Sequence, residues 1–118
     1  MDISTGNQEI LLRLMSASSD RAKVIAHNVA NQNTPGYRRQ VLHFEQLVGK
    51  ALQSGRDPLS VSPSLETDEI TPSRADGNNV NLELEMNAMR QNRLLYESYA
   101  TILNSHFEVL RTSIESGR

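Results

Sequence analysis

Between Leu82 and Ile114, apolar residues return at alternating steps of four and three. The row is Leu82, Met86, Met89, Arg93, Tyr96, Ala100, Leu103, Phe107, Leu110 and Ile114, with Arg93 its one polar member. This is the 3.5-residue period of a coiled-coil seam. A second row, Leu95, Tyr99, Ile102, His106 and Val109, runs beside the first and widens the stripe. A helix over about 82–115 would be roughly 50 Å long, several times the length of an average helix. Asn79 or Asn81 can cap its start, and Glu83 and Glu85 suit the positive end of its dipole. Gly117 can end it, with Arg111 and Arg118 near the negative end.

The N-terminal zone shows the same period. No Pro or Gly falls between Asn7 and Thr34, and Leu11, Met15, Ser18, Ala22, Ile25 and Val29 again alternate four and three. The spacing predicts a helix over about 8–33, with Glu9 and Arg13 supporting it at i,i+4. Neither helix can cover its stripe alone, because an isolated amphipathic helix is marginal in water. Each is the natural partner of the other. The C-terminal helix has two apolar rows, however, and the N-terminal one offers a single seam rich in small residues. The surplus points to contacts with other chains, while packing within a monomer or a simple dimer stays open.

Between the helices, about 34–79, the chain changes character. Pro58, Pro63 and Pro72 interrupt any helix in a stretch dominated by Ser, Thr, Asp and Gly. "PLSVSPSLE" alternates weakly and reads as an edge strand, a hairpin arm or a mobile loop. Phe44 to Leu52 can form a short helix. The expected fold is mainly α: two long terminal helices pairing as a coiled coil, joined by an irregular or weakly β middle. One elongated domain spans 1–118.

Composition fits that shape. Hydrophobic residues make up 37% of the chain, with no Trp and only two Phe and three Tyr, so a compact globule has few core formers to use. A net charge of −2 argues against a nucleic-acid binder. The chain has no cysteine, which removes disulfides, thiol catalysis and Cys-based metal sites together. It has no run of about 18 apolar residues to span a membrane. "MDISTGNQEILLRLMSASSD" lacks the basic and apolar regions of a cleaved secretory signal.

The long N-terminal pattern stops at "HNVANQNTPGYRR", His27 to Arg39. Pro35 pushes Thr34 out of the α region, so the helix must end by about Asn33. Thr34-Pro35-Gly36-Tyr37 suits a type II turn, with Pro35 fixing φ and Gly36 supplying a positive one. Asn28, Asn31 and Asn33 can bond freed carbonyls of the last helical turn, and Tyr37 can fold back onto the helix. Read locally, the segment is a helix stop and a chain reversal.

Nothing in the chain reads as a catalytic or cofactor site. His27, His43 and His106 are not at metal-ligand spacing, and His106, on the second apolar row, reads as an interface residue. Asp68 and Glu69 are adjacent carboxylates in a loop, weak evidence for acid/base work. Gly77 stands alone, without a phosphate-binding loop. Arg38 and Arg39 read as a solvated pair, with contact to an acidic neighbouring chain as the sharper hypothesis. Arg93 has Glu97 at i+4 as its simple partner and an intersubunit carboxylate as the alternative.

The order of the punctuating residues carries more. Asn28, Ala30, Asn31, Thr34, Pro35, Gly36 and Tyr37, placed after a small-residue amphipathic helix, resemble the N-terminal signature of the bacterial flagellar axial proteins, the rod and hook subunits. The C-terminal zone, from Asp76-Gly77-Asn78-Asn79-Val80 through Met86 to Asn92 and Tyr96, is similar to the end of a proximal rod member of that family. The resemblance covers both terminal zones and says little about residues 45–75.

That resemblance implies a structural subunit and no enzyme: the terminal helices pair into a coiled-coil layer of a rod that crosses the periplasm and helps carry torque from motor to hook. The seam residues would be Leu11, Met15, Ala22, Ile25, Val29, Leu82, Met86, Met89, Tyr96, Leu103, Phe107, Leu110 and Ile114. It further implies export through the flagellar type III gate without a cleaved signal. Partners would be further copies, FlgC-like, FlgF-like and FlgG-like rod subunits, the adaptor FliE, the MS ring and the export gate. No cofactor, nucleic acid or membrane insertion is implied. A FlgC-like subunit at another level of the rod, and a soluble coiled-coil regulator or chaperone, are the alternative readings.

Overall fold

The computed structural model describes residues 5–117; Arg118, expected near the helix end, lies outside them. In chain order the elements are α1 (Thr5–Ala30), β1 (Gln40–His43), α2 (Glu45–Gln53), β2 (Ser64–Thr67) and α3 (Leu82–Ser116), with a short 3-10 turn at Pro58–Ser60. The molecule is elongated, 68 × 28 × 14 Å.

α1 is the centre of the structure. On one side it packs antiparallel to α3: Asn28 meets Glu85, and ten residues earlier the carbonyl of Ser18 accepts from Asn92 at 2.7 Å. On the other side it carries the middle segment. There Ala17, Phe44 and Val48 form a small core, with Leu14, Leu42 and Val61 packed around it. The middle is therefore seated on α1, and the mobile-loop reading of "PLSVSPSLE" gives way to an ordered turn and strand.

β1 and β2 form a two-stranded antiparallel hairpin in the register Gln40↔Thr67 to His43↔Ser64. β2 begins within the weakly alternating stretch and runs one residue past it. β1 falls in residues that sequence reasoning left irregular, because "QVLH" is too short to show a period. α2 occupies the place expected of a short helix after Phe44.

α1 ends at Ala30 and tightens through hydrogen-bonded turns to Asn33. The turn at Thr34–Tyr37 then closes, with the Tyr37 N–H donating to the Thr34 carbonyl at 3.2 Å and Gly36 at φ 76°. That positive φ is the type II geometry. Asn81 is the cap of α3, its side chain accepting from the N–H groups of Glu83 and Leu84. Asn79, the other candidate, is buried and has a different task.

Candidate assembly interface

α3 carries two heptad seams that diverge around a shared row, and only one faces α1. Glu85, Asn92, Leu103 and His106 are buried, and Tyr99 is half-buried. Residues 85, 92, 99 and 106 recur every seven positions, so each layer against α1 holds one polar side chain. One position further along lie Met86, Arg93, Ala100, Phe107 and Ile114. Met86, Phe107 and Ile114 of that row are exposed, Ile114 at 63%.

The seam expected from the sequence therefore divides. On α1, Leu11 and Ile25 are buried and Met15, Ala22 and Val29 are half-buried. On α3, Leu103 is buried and Met89 and Leu110 are half-buried, whereas Leu82, Met86, Tyr96, Phe107 and Ile114 lie on the exposed side. Leu94, Leu95, Ile102 and Val109 are exposed too. Periodicity alone ranks apolar rows by hydrophobicity. It cannot foresee that polar partners of Glu85, Asn92 and Tyr99 on the other elements favour the polar row for the inside. Arg93 has the simple partner, Glu97, at 3.1 Å, on a side chain 81% exposed.

Behind the helix pair the signature residues form a clasp. Asn28 is fully buried. Its Nδ2 donates to the Gln40 carbonyl at 2.9 Å, and its Oδ1 accepts from the Gln40 N–H at 3.0 Å and the Tyr37 hydroxyl at 2.8 Å. The side chain thus pairs with Gln40 as a neighbouring strand would. Burial, then the nearby Glu85 charge, raises the Tyr37 pKa. The Tyr37 ring also folds back on the helix, edge-on to His27.

Two further asparagines join the ends of the molecule. Asn78 Nδ2 donates to the carbonyls of Asn31 and Thr34 at 2.8 and 2.9 Å, capping the end of α1 from 47 and 44 residues away. Asn79 inserts its amide between the strands: its Oδ1 accepts from the Arg39 N–H at 2.7 Å and its Nδ2 donates to the Asp68 carbonyl at 2.8 Å. Arg74 adds positive charge at the negative end of α1, donating to the carbonyls of Gln32 and Val80. Gly36 donates its N–H to the Asp76 carbonyl at 2.8 Å, and a Cβ on Gly77, at φ 83°, would sit 3.4 Å from the Gly36 Cα. The two glycines allow the two segments to cross.

Arg39 is at the middle of the clasp. Its Nε donates to Glu85 and its guanidinium to Asp68, each at 2.7 Å. The side chain is 17% exposed and that of Glu85 is 0%. The solvated-pair reading of Arg39 is corrected here, and its acidic partners belong to its own chain. They lie 29 and 46 residues away, where local sequence gives no sign of them. Burial opposes the charge on Arg39, but Glu85 and Asp68 outweigh it and raise its pKa.

A second cluster, missed by sequence reasoning, joins four elements. Arg21 binds Glu45 of α2, Asn92 of α3 at 2.9 Å and the Leu42 carbonyl of β1 at 3.2 Å. The Tyr99 hydroxyl donates to Glu45 at 3.0 Å. Burial and the Glu45 charge push Tyr99 up to about 12. Burial works against ionisation of Glu45 as well, but its bonds from Arg21 and from its own backbone hold it below the ordinary carboxyl value. Asp68 is held low chiefly by the Thr71 hydroxyl and N–H, with Arg39 and the Ile70 N–H adding to them.

These two carboxylates give a pH prediction. Below about pH 4 the unfolded chain, with ordinary Asp and Glu pKa values, takes up protons that the folded chain still refuses. Stability is fully present above that range and falls as pH drops through the lowered folded values. Urea midpoints measured from pH 6 to pH 2 are expected to fall steeply below about pH 4. Asp68→Asn should flatten that slope.

Among the described residues no group of three or more His, Asp or Glu is placed to hold a metal ion, and no helix is long and apolar enough to cross a membrane. The geometry is that of a packing unit: a polar clasp, a polar inner seam and an apolar outer row. Residues 13–38, most of α1 together with the turn that ends it, match the family model described as flagella basal body rod protein. Over those residues the chain is similar to the flagellar basal body rod family. It is 28% identical to the flagellar basal body rod protein FlgB of Borrelia hermsii, over 98% of this chain and all of that one. It is 26% identical to FlgB of Bacillus subtilis over the whole of both chains. It is also 26% identical to FlgB of Escherichia coli, over 87% of this chain and 88% of the relative. The likeness to these relatives extends through the middle segment and α3, well past the residues that the family model matches.

Proposed function

We infer that this chain is a structural subunit of the proximal rod of the bacterial flagellar basal body, equivalent to FlgB, and that it acts by helix packing. The observation that carries the reading is the exposed row of Leu82, Met86, Tyr96, Phe107 and Ile114 on a helix whose inner seam is already filled. A stripe of that length on a monomer calls for neighbouring helices. In the assembled rod the neighbours would be further copies, FlgC-like, FlgF-like and FlgG-like subunits, FliE and the MS ring, and the packed layer would help carry torque. The thin core suits passage through the export gate. The name shared by the relatives favours this reading over a FlgC-like one.

Phe107→Asp tests it. The side chain is 51% exposed, so folding stability should change by no more than about 0.5 kcal/mol. Incorporation into isolated basal bodies, and motility, should be lost. A variant that still assembles would sink the role given to the outer row. Hydrogen exchange supplies the companion result: amides of the exposed face of α3 should exchange more slowly in basal bodies than in the free chain.

A further inference from the structure

The hairpin has two edges, and among the described residues only one is covered. The Asp68 N–H donates to the Arg39 carbonyl at 2.9 Å, which makes 39/68 a hydrogen-bonded pair. By antiparallel alternation 41/66 and 43/64 are bonded pairs too, so the backbone groups of residues 40 and 42 point away from the partner strand, as do those of 65 and 67. On β1 those outward groups are met by α1: Asn28 takes both groups of Gln40, and Arg21 takes the Leu42 carbonyl. On β2 all four residues are exposed and the sheet ends there. Among the described residues nothing is placed against the Leu65 and Thr67 edge.

We propose that the outer edge of β2 is a docking strand for a basic, extended segment of another protein chain, which adds as a third strand. Main-chain pairing with an open edge supplies affinity, and alternate side chains supply selectivity. Charge names the occupant. Residues 57–73 contain Asp57, Glu66, Asp68 and Glu69 and no Lys or Arg. Asp68 is committed to Arg39, while Glu66, whose Oε2 lies 3.0 Å from His43 Nε2 but whose side chain is still 68% exposed, and Glu69 are open to solvent. A second copy pairing its own β2 antiparallel would bring acidic strands face to face, which is destabilising. A strand with Lys or Arg at alternate positions would complement them. A hollow of about 280 Å³, lined by Val41, His43, Glu66, Asp68 and Ile70, lies beside the strand and has room for one such side chain. Leu65 and Ile70, 59% and 93% exposed, flank the edge and would be covered by an added strand. The inference does not depend on the rod reading.

The test is amide exchange on the full chain with a capped heptapeptide alternating Lys and Val, beside the same peptide with Glu for Lys. The Lys peptide should slow exchange at Leu65 and Thr67 at least tenfold, the Glu peptide should not, and the Glu66 amide should be protected already in the free chain. Thr67→Pro removes one outward N–H and should abolish the effect. Glu66→Lys with Glu69→Lys keeps the backbone and should reverse the preference between the peptides. Equal protection by both peptides, protection by neither, or an unchanged preference in the double variant would overturn the proposal. So would an unprotected Glu66 amide in the free chain, or protection of Leu65 and Thr67 that rises with protein concentration alone.

Discussion

Arg39→Met is expected to cost about 3–5 kcal/mol of folding stability, the range for removing one partner of a buried ion pair. The Glu85 carboxylate has no solvent access. Without Arg39 it keeps the Asn28 Nδ2 at 3.3 Å as its hydrogen-bond donor, too little to compensate a buried charge. Asp68 suffers less, because Thr71 and Ile70 still donate to it. The double variant Arg39→Met with Glu85→Leu should recover most of the loss, because it removes the uncompensated charge rather than the packing. Arg39→Lys should fall between, since an ammonium cannot span two carboxylates as a planar guanidinium does. Urea unfolding of the four proteins checks this, with a common m-value as the condition for comparing them. A loss under about 1 kcal/mol in Arg39→Met would mean that Glu85 is not held as a paired charge.

The two helices and the turn between them were legible in the sequence because their signals are local. A 3.5-residue period over more than thirty positions cannot sit on a strand, and Pro35-Gly36 specifies a turn by its dihedral preferences. The clasp was legible only as a resemblance. Its bonds run between Asn28 and Glu85, Arg39 and Asp68, and Asn78 and Asn31, and no local pattern announces pairings so distant. The same limit hid β1, whose edge is completed by α1 side chains rather than by a neighbouring strand of recognisable pattern. It also misdirected the reading of α3, where the most apolar row was the natural choice for the helix pair. Glu85, Asn92 and Tyr99 instead each meet a fixed partner on Arg39, Ser18 and Glu45. Matched polar groups confer orientation at some expense of stability, and they leave the apolar row free for other chains.

Asn28→Ala is expected to be nearly as damaging as Arg39→Met, and for a different reason. Asn28 is a fully buried polar side chain whose carboxamide serves as one rung of a sheet. Truncation leaves the Gln40 N–H and carbonyl and the Tyr37 hydroxyl without their partner, and each such loss costs about 1–3 kcal/mol. The losses share one site and will not add in full, so about 3 kcal/mol is expected in urea unfolding. Asn28→Asp separates the two halves of the role. It keeps the oxygen that accepts from Gln40 and Tyr37, removes the donor to the Gln40 carbonyl, and sets a second carboxylate against Glu85. At pH 7 it should therefore be no milder than Asn28→Ala. Amide exchange locates the damage: the Gln40 N–H should lose protection more than amides in the middle of α3. If both variants unfold at the parent's urea midpoint, Asn28 does not bind the hairpin to α1, and the signature residues reduce to the local turn that their spacing describes.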